Sequence, residues 1–331
     1  MKKKILSGMR PTGKLHLGHL LGALDNWVKL QDDYDCFFMV ADWHALMGEY
    51  ENPLVLSESI FDNVADWLSC GIDPKRSVIF IQSQVPGHLE LQMILSCFTP
   101  LGWLERCPTY KEQLRQVTTR DLNTYGFLGY PVLQAADILL YKAQKVPVGD
   151  DQLPHLELTR EIARRFNSLY NKDVFPEPEA ILTSTPRLPG LDGRKMSKSY
   201  NNTINLSDPP ELLRRKVLGM TTDPQRIKAS DPGHPEVCNV FSYYAEFFPE
   251  IKPDIFEKCT RAGIGCVECK KNFAALLIDK LKPIHKKREE FLKDKTLIKG
   301  ILDAGRQSAG SVAGATLKDA LTAMKMEYVF K

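Results

Sequence analysis

The first thirty-odd residues constrain this chain most. A short apolar run, Lys4-Ile5-Leu6-Ser7-Gly8, leads through the turn Met9-Arg10-Pro11-Thr12-Gly13 into a helical period. In that period Leu20, Leu21, Ala23, Leu24, Trp27, Val28 and Gln31 recur at three-to-four spacing. A buried strand feeding a helix that must rest on the same sheet demands further strands beside the first. Residues 36–41, 77–82 and Lys145–Val148 supply them, with helical patterns in between. The N-terminal part is therefore expected to be α/β, a parallel sheet with crossover helices. The clearest helix is expected over 156–170, with Leu156, Ile162, Ala163, Phe166 and Leu169 on one face. Beyond Ser207-Asp208-Pro209-Pro210 the pattern is helical throughout, best at 272–281, 284–293 and 316–326. A domain boundary is placed near residue 206.

The first helix opens on His16-Leu17-Gly18-His19. Unpaired backbone N–H groups and the positive end of the helix dipole already attract phosphate at such a terminus. Gly18 would let a flat ligand such as an adenine ring approach the backbone. Taken alone, the tetrapeptide reads equally well as a structural histidine pair. A second stretch changes that balance. Lys195-Met196-Ser197-Lys198-Ser199 lies in a run of turn formers over 189–202 without hydrophobic periodicity, read as an exposed, mobile loop. Its lysines supply point charges that can follow phosphates as they separate, and its serines add hydroxyl donors. Together the two stretches describe a site for the phosphates of ATP.

With both motifs in this order, the chain resembles the class I aminoacyl-tRNA synthetases. Leu17 stands where the family usually has isoleucine, a swap that keeps volume and polarity. The segments Tyr130 to Tyr141 and Val146 to His155 resemble the tryptophanyl and tyrosyl branch. Tyr130, Gln134 and Asp137 share a face at helical spacing and can converge on one small ligand; a capping or surface role for Asp137 is the plain alternative. Asp137 could meet an indole N–H or a phenol O–H. Leu6 stands where the tyrosyl enzymes carry a tyrosine that meets the substrate phenol, so the resemblance favours tryptophan. One missing polar partner in such a site shifts selectivity by roughly 10⁴–10⁵. The turn after Ser7-Gly8, the run Val40-Ala41-Asp42-Trp43-His44 and Val148-Gly149-Asp150-Asp151-Gln152 also resemble the tryptophanyl branch.

The resemblance implies a Rossmann-like catalytic domain over 1–205 and a helical anticodon-binding domain over 206–331. It implies tryptophan activation by ATP, then transfer to the 3′ end of tRNA(Trp). The substrate carboxylate attacks the α-phosphorus, so the protein needs to position reactants and neutralise charge. His16 and His19 would serve the α-phosphate, and Lys195 and Lys198 the pyrophosphate side. Arg10, Thr12, Gly18, Lys111, Gly149, Asp151, Met196, Ser197 and Ser199 complete the expected ATP contacts. Tyr130 and Gln152 would hold the ammonium and Asp137 the indole N–H, with Leu6, Gly8, Val40, Gln134 and Val148 around the ring. Mg²⁺ is implied as a charge partner of ATP, without a dedicated carboxylate cage. Rival readings are a tyrosyl enzyme, a small-molecule adenylyltransferase, and a catalytically silent iron–sulfur RNA-binding paralogue. The intact histidines and lysines argue against the last.

Of eight cysteines, Cys36, Cys70, Cys97 and Cys107 are scattered and read as small core hydrophobes. Cys238, Cys259, Cys266 and Cys269 are clustered, the last two as Cys-x-x-Cys. By spacing they suit tetrahedral zinc or a [4Fe–4S] cluster equally. The resemblance favours iron–sulfur, through a subset of bacterial tryptophanyl enzymes with such a motif in the anticodon-binding domain.

Composition limits the remaining classes. Hydrophobic residues make up 43% and charged residues 26% of 331, the balance of an ordinary globular chain. Residues 206–331 carry 22 Lys+Arg against 17 Asp+Glu, and residues 1–205 carry 22 against 24, so any nucleic-acid footprint lies in the C-terminal part. A merely solvated basic face fits the count equally. Met1-Lys2-Lys3-Lys4 runs straight into the strand, with no signal peptide read there. A cytoplasmic protein with no membrane or DNA partner is expected, and the family implies a homodimer.

Overall fold

The computed structural model describes residues 2–116, 121–182 and 188–327, apart from the side chains of Thr109, Gln113, Gln116 and Ser199. Five parallel strands, β1 (Lys4–Met9), β2 (Asp35–Val40), β3 (Ser77–Ile81), β4 (Lys145–Val148) and β5 (Glu179–Leu182), form one sheet in the order β3-β2-β1-β4-β5. Four of the strands were legible as apolar runs. The fifth, Glu-Ala-Ile-Leu, is short and follows Pro176-Glu177-Pro178, so its pairing with β4 is a tertiary event.

Side chains alternate across the sheet. Ile5, Cys36, Phe38, Val40, Ile79 and Ile81 join one core with the helical run of residues 17–33 and helix Leu54–Cys70. Leu6, Phe37, Met39 and Phe80 join the other with helices Gly87–Ser96, Tyr125–Leu140 and Leu153–Tyr170. In the first core the Trp27 ring stacks on Phe38 at 4.4 Å and meets the edge of Trp67 at 5.1 Å. Each such pair is worth about 0.5–1.5 kcal/mol beyond its buried area. The Trp27 indole N–H donates to Ser7 Oγ at 3.1 Å, so strand and first helix are also pinned by a polar contact.

The chain runs from β1 outward through β2 and β3, then returns to the other side of β1 as β4. Ile5 lies opposite Lys145 near the strands' N-terminal ends. This is a topological switch point, and in such sheets the crevice outside the carboxyl ends of the two strands is where ligands bind.

The C-terminal part departs from its sequence pattern in three ways. Residues 219–238 are mostly turns, with a single 3₁₀ segment Pro235–Val237. The helices expected at 272–281 and 284–293 are one, Cys266–Lys293, which runs through Pro283. An interior proline costs about 3 kcal/mol or more. Here Phe273, Leu277 and Leu281 are fully buried against the first core, and packing overrides the local break. The last helix, Lys295–Ala323, begins well before residue 316 and crosses the edge strand β3. Ile298 and Leu302 belong to one core, Ala309, Ala313 and Ala320 to the other. Gly305 marks the crossing, where a Cβ would lie 1.8 Å from Ile79 O. The sheet edge is thereby covered, which removes a strand-pairing hazard. No helix among the described residues is long and apolar enough to cross a membrane.

Candidate active site

His16 caps the first helix. Its Nδ1 accepts from Gly18 N–H at 3.2 Å, while His19 Nδ1 accepts from His16 N–H at 3.1 Å. Both Nδ1 atoms are therefore unprotonated, and each ring carries its proton on Nε2. Burial, then the Lys198 charge, lowers the His16 pKa to about 4. Burial and the charges of His16 and Lys198 hold His19 well below its ordinary value. Two neutral imidazoles, ring centroids 3.8 Å apart, thus present N–H donors at a helix N-terminus. The next segment, Leu20–Leu24, is π-helical, a distortion frequent at functional sites. A Cβ at Gly18 would sit 3.0 Å from the His16 ring, so the glycine admits the histidine that caps the helix.

The lysine loop is fastened to this motif by backbone. Leu17 N–H donates to Ile204 O at 3.0 Å and Leu206 N–H to Leu15 O at 2.9 Å. Motifs nearly two hundred residues apart in sequence become one structure. The loop is not uniformly exposed, as its composition implied. Lys195 is exposed, but Met196 and Asn202 are buried. Asn202 organises the loop: Oδ1 accepts from Ser197 N–H at 2.8 Å, and Nδ2 donates to Asp192 Oδ1 at 2.8 Å and Lys195 O at 3.2 Å. Lys198 Nζ donates to Thr12 O at 2.9 Å and Gly13 O at 3.2 Å, on the turn after β1. Burial and Arg10 lower its pKa to about 8, against the favourable charge of Asp66. Arg10 is exposed at the same turn. The Ser199 side chain lies outside the described residues.

Across the crevice, Leu6, Gly8, Val148 and helix Tyr125–Leu140 meet on one face of the sheet. A side chain at Gly8 would meet Met39 O at 2.9 Å. Val40, expected in the same pocket, is fully buried on the opposite face among Ile5 and Phe38; it follows the odd step of the pleat, and Met39 takes the pocket side. Asp137 is buried at 2% exposure and its carboxylate is already engaged. Gln82 Nε2 donates to both oxygens at 2.8 and 3.0 Å, His88 Nδ1 to Oδ1 at 2.6 Å and His44 Nε2 to Oδ2 at 2.7 Å. Burial pushes this carboxyl up, but His44 and His88 outweigh it and hold it below the ordinary value. His88 Nε2 meets the Tyr141 hydroxyl at 2.8 Å. Tyr130 Oη lies 3.0 Å from His155 Nε2, and Gln134 Nε2 donates weakly to Gln152 Oε1 at 3.5 Å. Gln152 Nε2 donates to Asp151 Oδ2 at 2.9 Å, and Gly149 leaves room for that carboxylate. Lys111 lines an open groove of about 460 Å³ with Pro108, Glu112 and Arg115.

Comparison with known proteins decides between the families that use such a crevice. The family model described as tRNA synthetases class I (W and Y) matches residues 2–282. The chain belongs to the class I tryptophanyl and tyrosyl tRNA synthetases. It is 52% identical over 328 residues to the tryptophan–tRNA ligase of Thermotoga maritima, covering 98% of this chain and all of that one. It is 43% identical to the ligase of Aquifex aeolicus, again with 98% of this chain and all of the relative covered. The tryptophanyl-tRNA synthetase of Campylobacter jejuni, solved with ADP and tryptophan, superposes with a TM-score of 0.88 at 33% identity, covering 97% and 99% of the two chains.

Sequence reasoning had not singled out Gln82, His88, Tyr141 or His155 of this synthetase. Gln82, His88 and His155 stand in other elements with no spacing that links them to Asp137 or Tyr130, so only the folded chain reveals them; Tyr141, four residues after Asp137, joins the group through His88. Asn202 was passed over as a turn former.

The four late cysteines gather around the turn-rich segment. Cys259 feels Cys238 and Cys266, and Cys269 feels all three other thiols of the set. Burial first, then those neighbours, raises Cys269 to about 12, so without a cation this group is a thiol. Arg226 Nη1 lies 3.9 Å from both Cys259 Sγ and Cys266 Sγ. The donor set has the chemistry of a four-thiolate centre. Among the described residues, however, no group of three or more His, Cys, Asp or Glu is closed around a metal position. Of the scattered cysteines, Cys36 and Cys107 are buried as expected of core residues, Cys70 is half-buried and Cys97 is exposed.

Proposed function

We propose that this chain is a tryptophan–tRNA ligase, activating tryptophan with ATP and passing it to the 3′ end of tRNA(Trp). The observation that carries the reading is the backbone fastening of Leu15–Leu17 to residues 204–206, which holds both signature motifs at the mouth of one crevice. Identities of 52% and 43% to tryptophan–tRNA ligases over essentially whole chains support tryptophan. The buried leucine at position 6, on the Asp137 side of the sheet, supports it too, since it offers a phenol no partner.

In this reading His16 and His19 donate Nε2–H to oxygens around the α-phosphate. They are neutral and fixed in place, so they stabilise growing charge without reorganising. Lys198 and Lys195 neutralise the departing pyrophosphate, with Arg10 and Lys111 as further phosphate contacts. Thr12, Gly18, Gly149, Asp151, Met196, Ser197 and Ser199 are assigned to the nucleotide. Mg²⁺ enters with ATP as counter-charge. Tyr130 and Gln152 face the ammonium and Gln134 lies beside them. Asp137 faces the indole N–H; its neighbours keep it an anion with acceptors only.

Residues 206–331 are assigned to tRNA. There Cys238, Cys259, Cys266 and Cys269 would hold a [4Fe–4S] cluster, or zinc, that staples segment 219–238 to two helices. A brown protein absorbing near 400 nm, with about four irons per chain, supports the cluster; stoichiometric zinc replaces it. We read the oligomer as a homodimer. Leu89 and Met93, exposed one helical turn apart, suit burial in such an interface.

Tryptophan-dependent pyrophosphate exchange, run beside tyrosine, tests the assignment. Lys195→Ala should lower the exchange rate far more than tryptophan affinity; equal losses would mean that the loop only binds.

A further inference from the structure

The helix Cys266–Lys293 reaches back into the catalytic part with two side chains one turn apart. His285 Nε2 donates to Leu206 O at 2.7 Å, on the segment fastened to Leu15. Arg288 donates from Nε to Asp66 Oδ1 at 2.6 Å and places Nη2 3.2 Å from Asp62 Oδ1. Asp66 is only 1% exposed and stands on helix Leu54–Cys70. Two turns earlier on that helix, Ser59 Oγ accepts from Gly13 N–H at 2.9 Å. Gly13 is one of the two residues whose carbonyls hold Lys198 Nζ. A continuous path of polar contacts and one rigid helix thus joins Arg288 to Lys198.

We propose that Arg288 is a positioning residue for Lys198: by anchoring Asp66 and its helix, it fixes the place and the charge of the ammonium on the phosphate side of the crevice. This rests on the reading of Lys198 as a phosphate-binding lysine. The C-terminal helix, which also carries Cys266 and Cys269, thereby acts on nucleotide binding without touching nucleotide.

The electrostatics agree with the geometry. Asp66 faces Arg288, Asp62 and Lys14; burial raises it to about 6 even with the guanidinium in place. Removing Arg288 leaves a buried carboxylate without its bonded partner, so it holds its proton to higher pH than it does beside the guanidinium. Lys198 faces Arg10, Asp66, His16 and His19, and of these Asp66 is the group that favours its charged form. Once Asp66 is neutral, Lys198 releases its proton at lower pH.

The test is kcat/KM for ATP in tryptophan-dependent exchange from about pH 6 to about pH 10, a quantity that reports the ionisations of the free enzyme. The parent should show an alkaline limb near 8. Arg288→Gln should move that limb down by about one pH unit, with a loss of about 10-fold at its alkaline side and tryptophan KM unchanged. Arg288→Lys should keep most of the parent profile. Asp66→Asn should reproduce the shift, and the double variant should go no further than either single one. A uniform loss at every pH with the limb unmoved overturns the proposal, as does a shift in Asp66→Asn that Arg288→Gln lacks. Near-UV circular dichroism of each variant checks its fold. If the parent shows no exchange, the functional reading fails by itself; the affinity for ATP, titrated calorimetrically over the same pH range in parent and Arg288→Gln, then reads the same limb.

Discussion

Asp137→Asn probes the floor of the pocket most directly. Oδ1 receives Gln82 and His88, Oδ2 receives His44 and Gln82, and every neighbour donates. An amide brings two N–H donors into a position surrounded by donors. One neighbour can adapt: His88 can move its proton to Nε2 and donate to the Tyr141 hydroxyl, freeing Nδ1 to accept. His44 and Gln82 would then share the one remaining oxygen. Each charge-assisted bond that becomes neutral loses about 1 kcal/mol, and one donor is left underpaired at about 1–3 kcal/mol. The sum, about 3–5 kcal/mol, matches the usual cost of breaking a buried pair. Urea unfolding of parent and variant, compared at unchanged m-value, measures it. Because the folded-state carboxyl is held below its ordinary value, this stability is present above the unfolded carboxylate pKa. It is lost as pH falls through the folded one. The two proteins should therefore converge in acid. A difference below about 1 kcal/mol at neutral pH would refute the view that this carboxylate holds the pocket together.

Two further outcomes concern the lysine loop and the helix cap. Asn202→Ala removes the bonds to Ser197 N–H, Asp192 and Lys195 O; it should cut exchange by about 10–100-fold through misplacement of the lysines and speed proteolysis within 189–202, and unchanged cleavage with unchanged rate would refute it. His16 accepts a proton near 6.5 when unfolded and only near 4 when folded; the unfolded state binds more protons between those values, so stability falls on acidification from about 6.5 to about 4. His16→Asn should show a smaller loss of urea midpoint between about pH 7 and about pH 5 than the parent, and parallel losses would mean that His16 titrates normally in the fold.

The helix-cap histidines and the lysine-bearing loop were legible because their determinants are local. A strand, a glycine-bearing turn and a helix start lie within twenty residues, and a helix terminus binds anions wherever it occurs. Tyr130, Gln134 and Asp137 were legible for the same reason, since helical spacing alone puts them on one face. Their partners were not. His44, Gln82 and His88 come from three other elements, and nothing in their spacing records that the fold turns all three toward one carboxylate. Val40 shows the limit in the other direction: the family resemblance put it around the ring, but one step of the pleat sends its side chain to the opposite core.

The sequence by itself determined the parallel α/β class, the helix-cap histidines, the lysine-bearing loop and the clustering of four cysteines, because periodicity, turn chemistry and residue type act over short stretches. Tertiary structure decided the rest. It paired residues 179–182 with β4, carried one helix through Pro283, laid the last helix over β3 at Gly305, and set Arg288 against Asp66. Each of these is a contact between residues far apart in the chain, where packing and burial outweigh local preference, so no short window of sequence contains it.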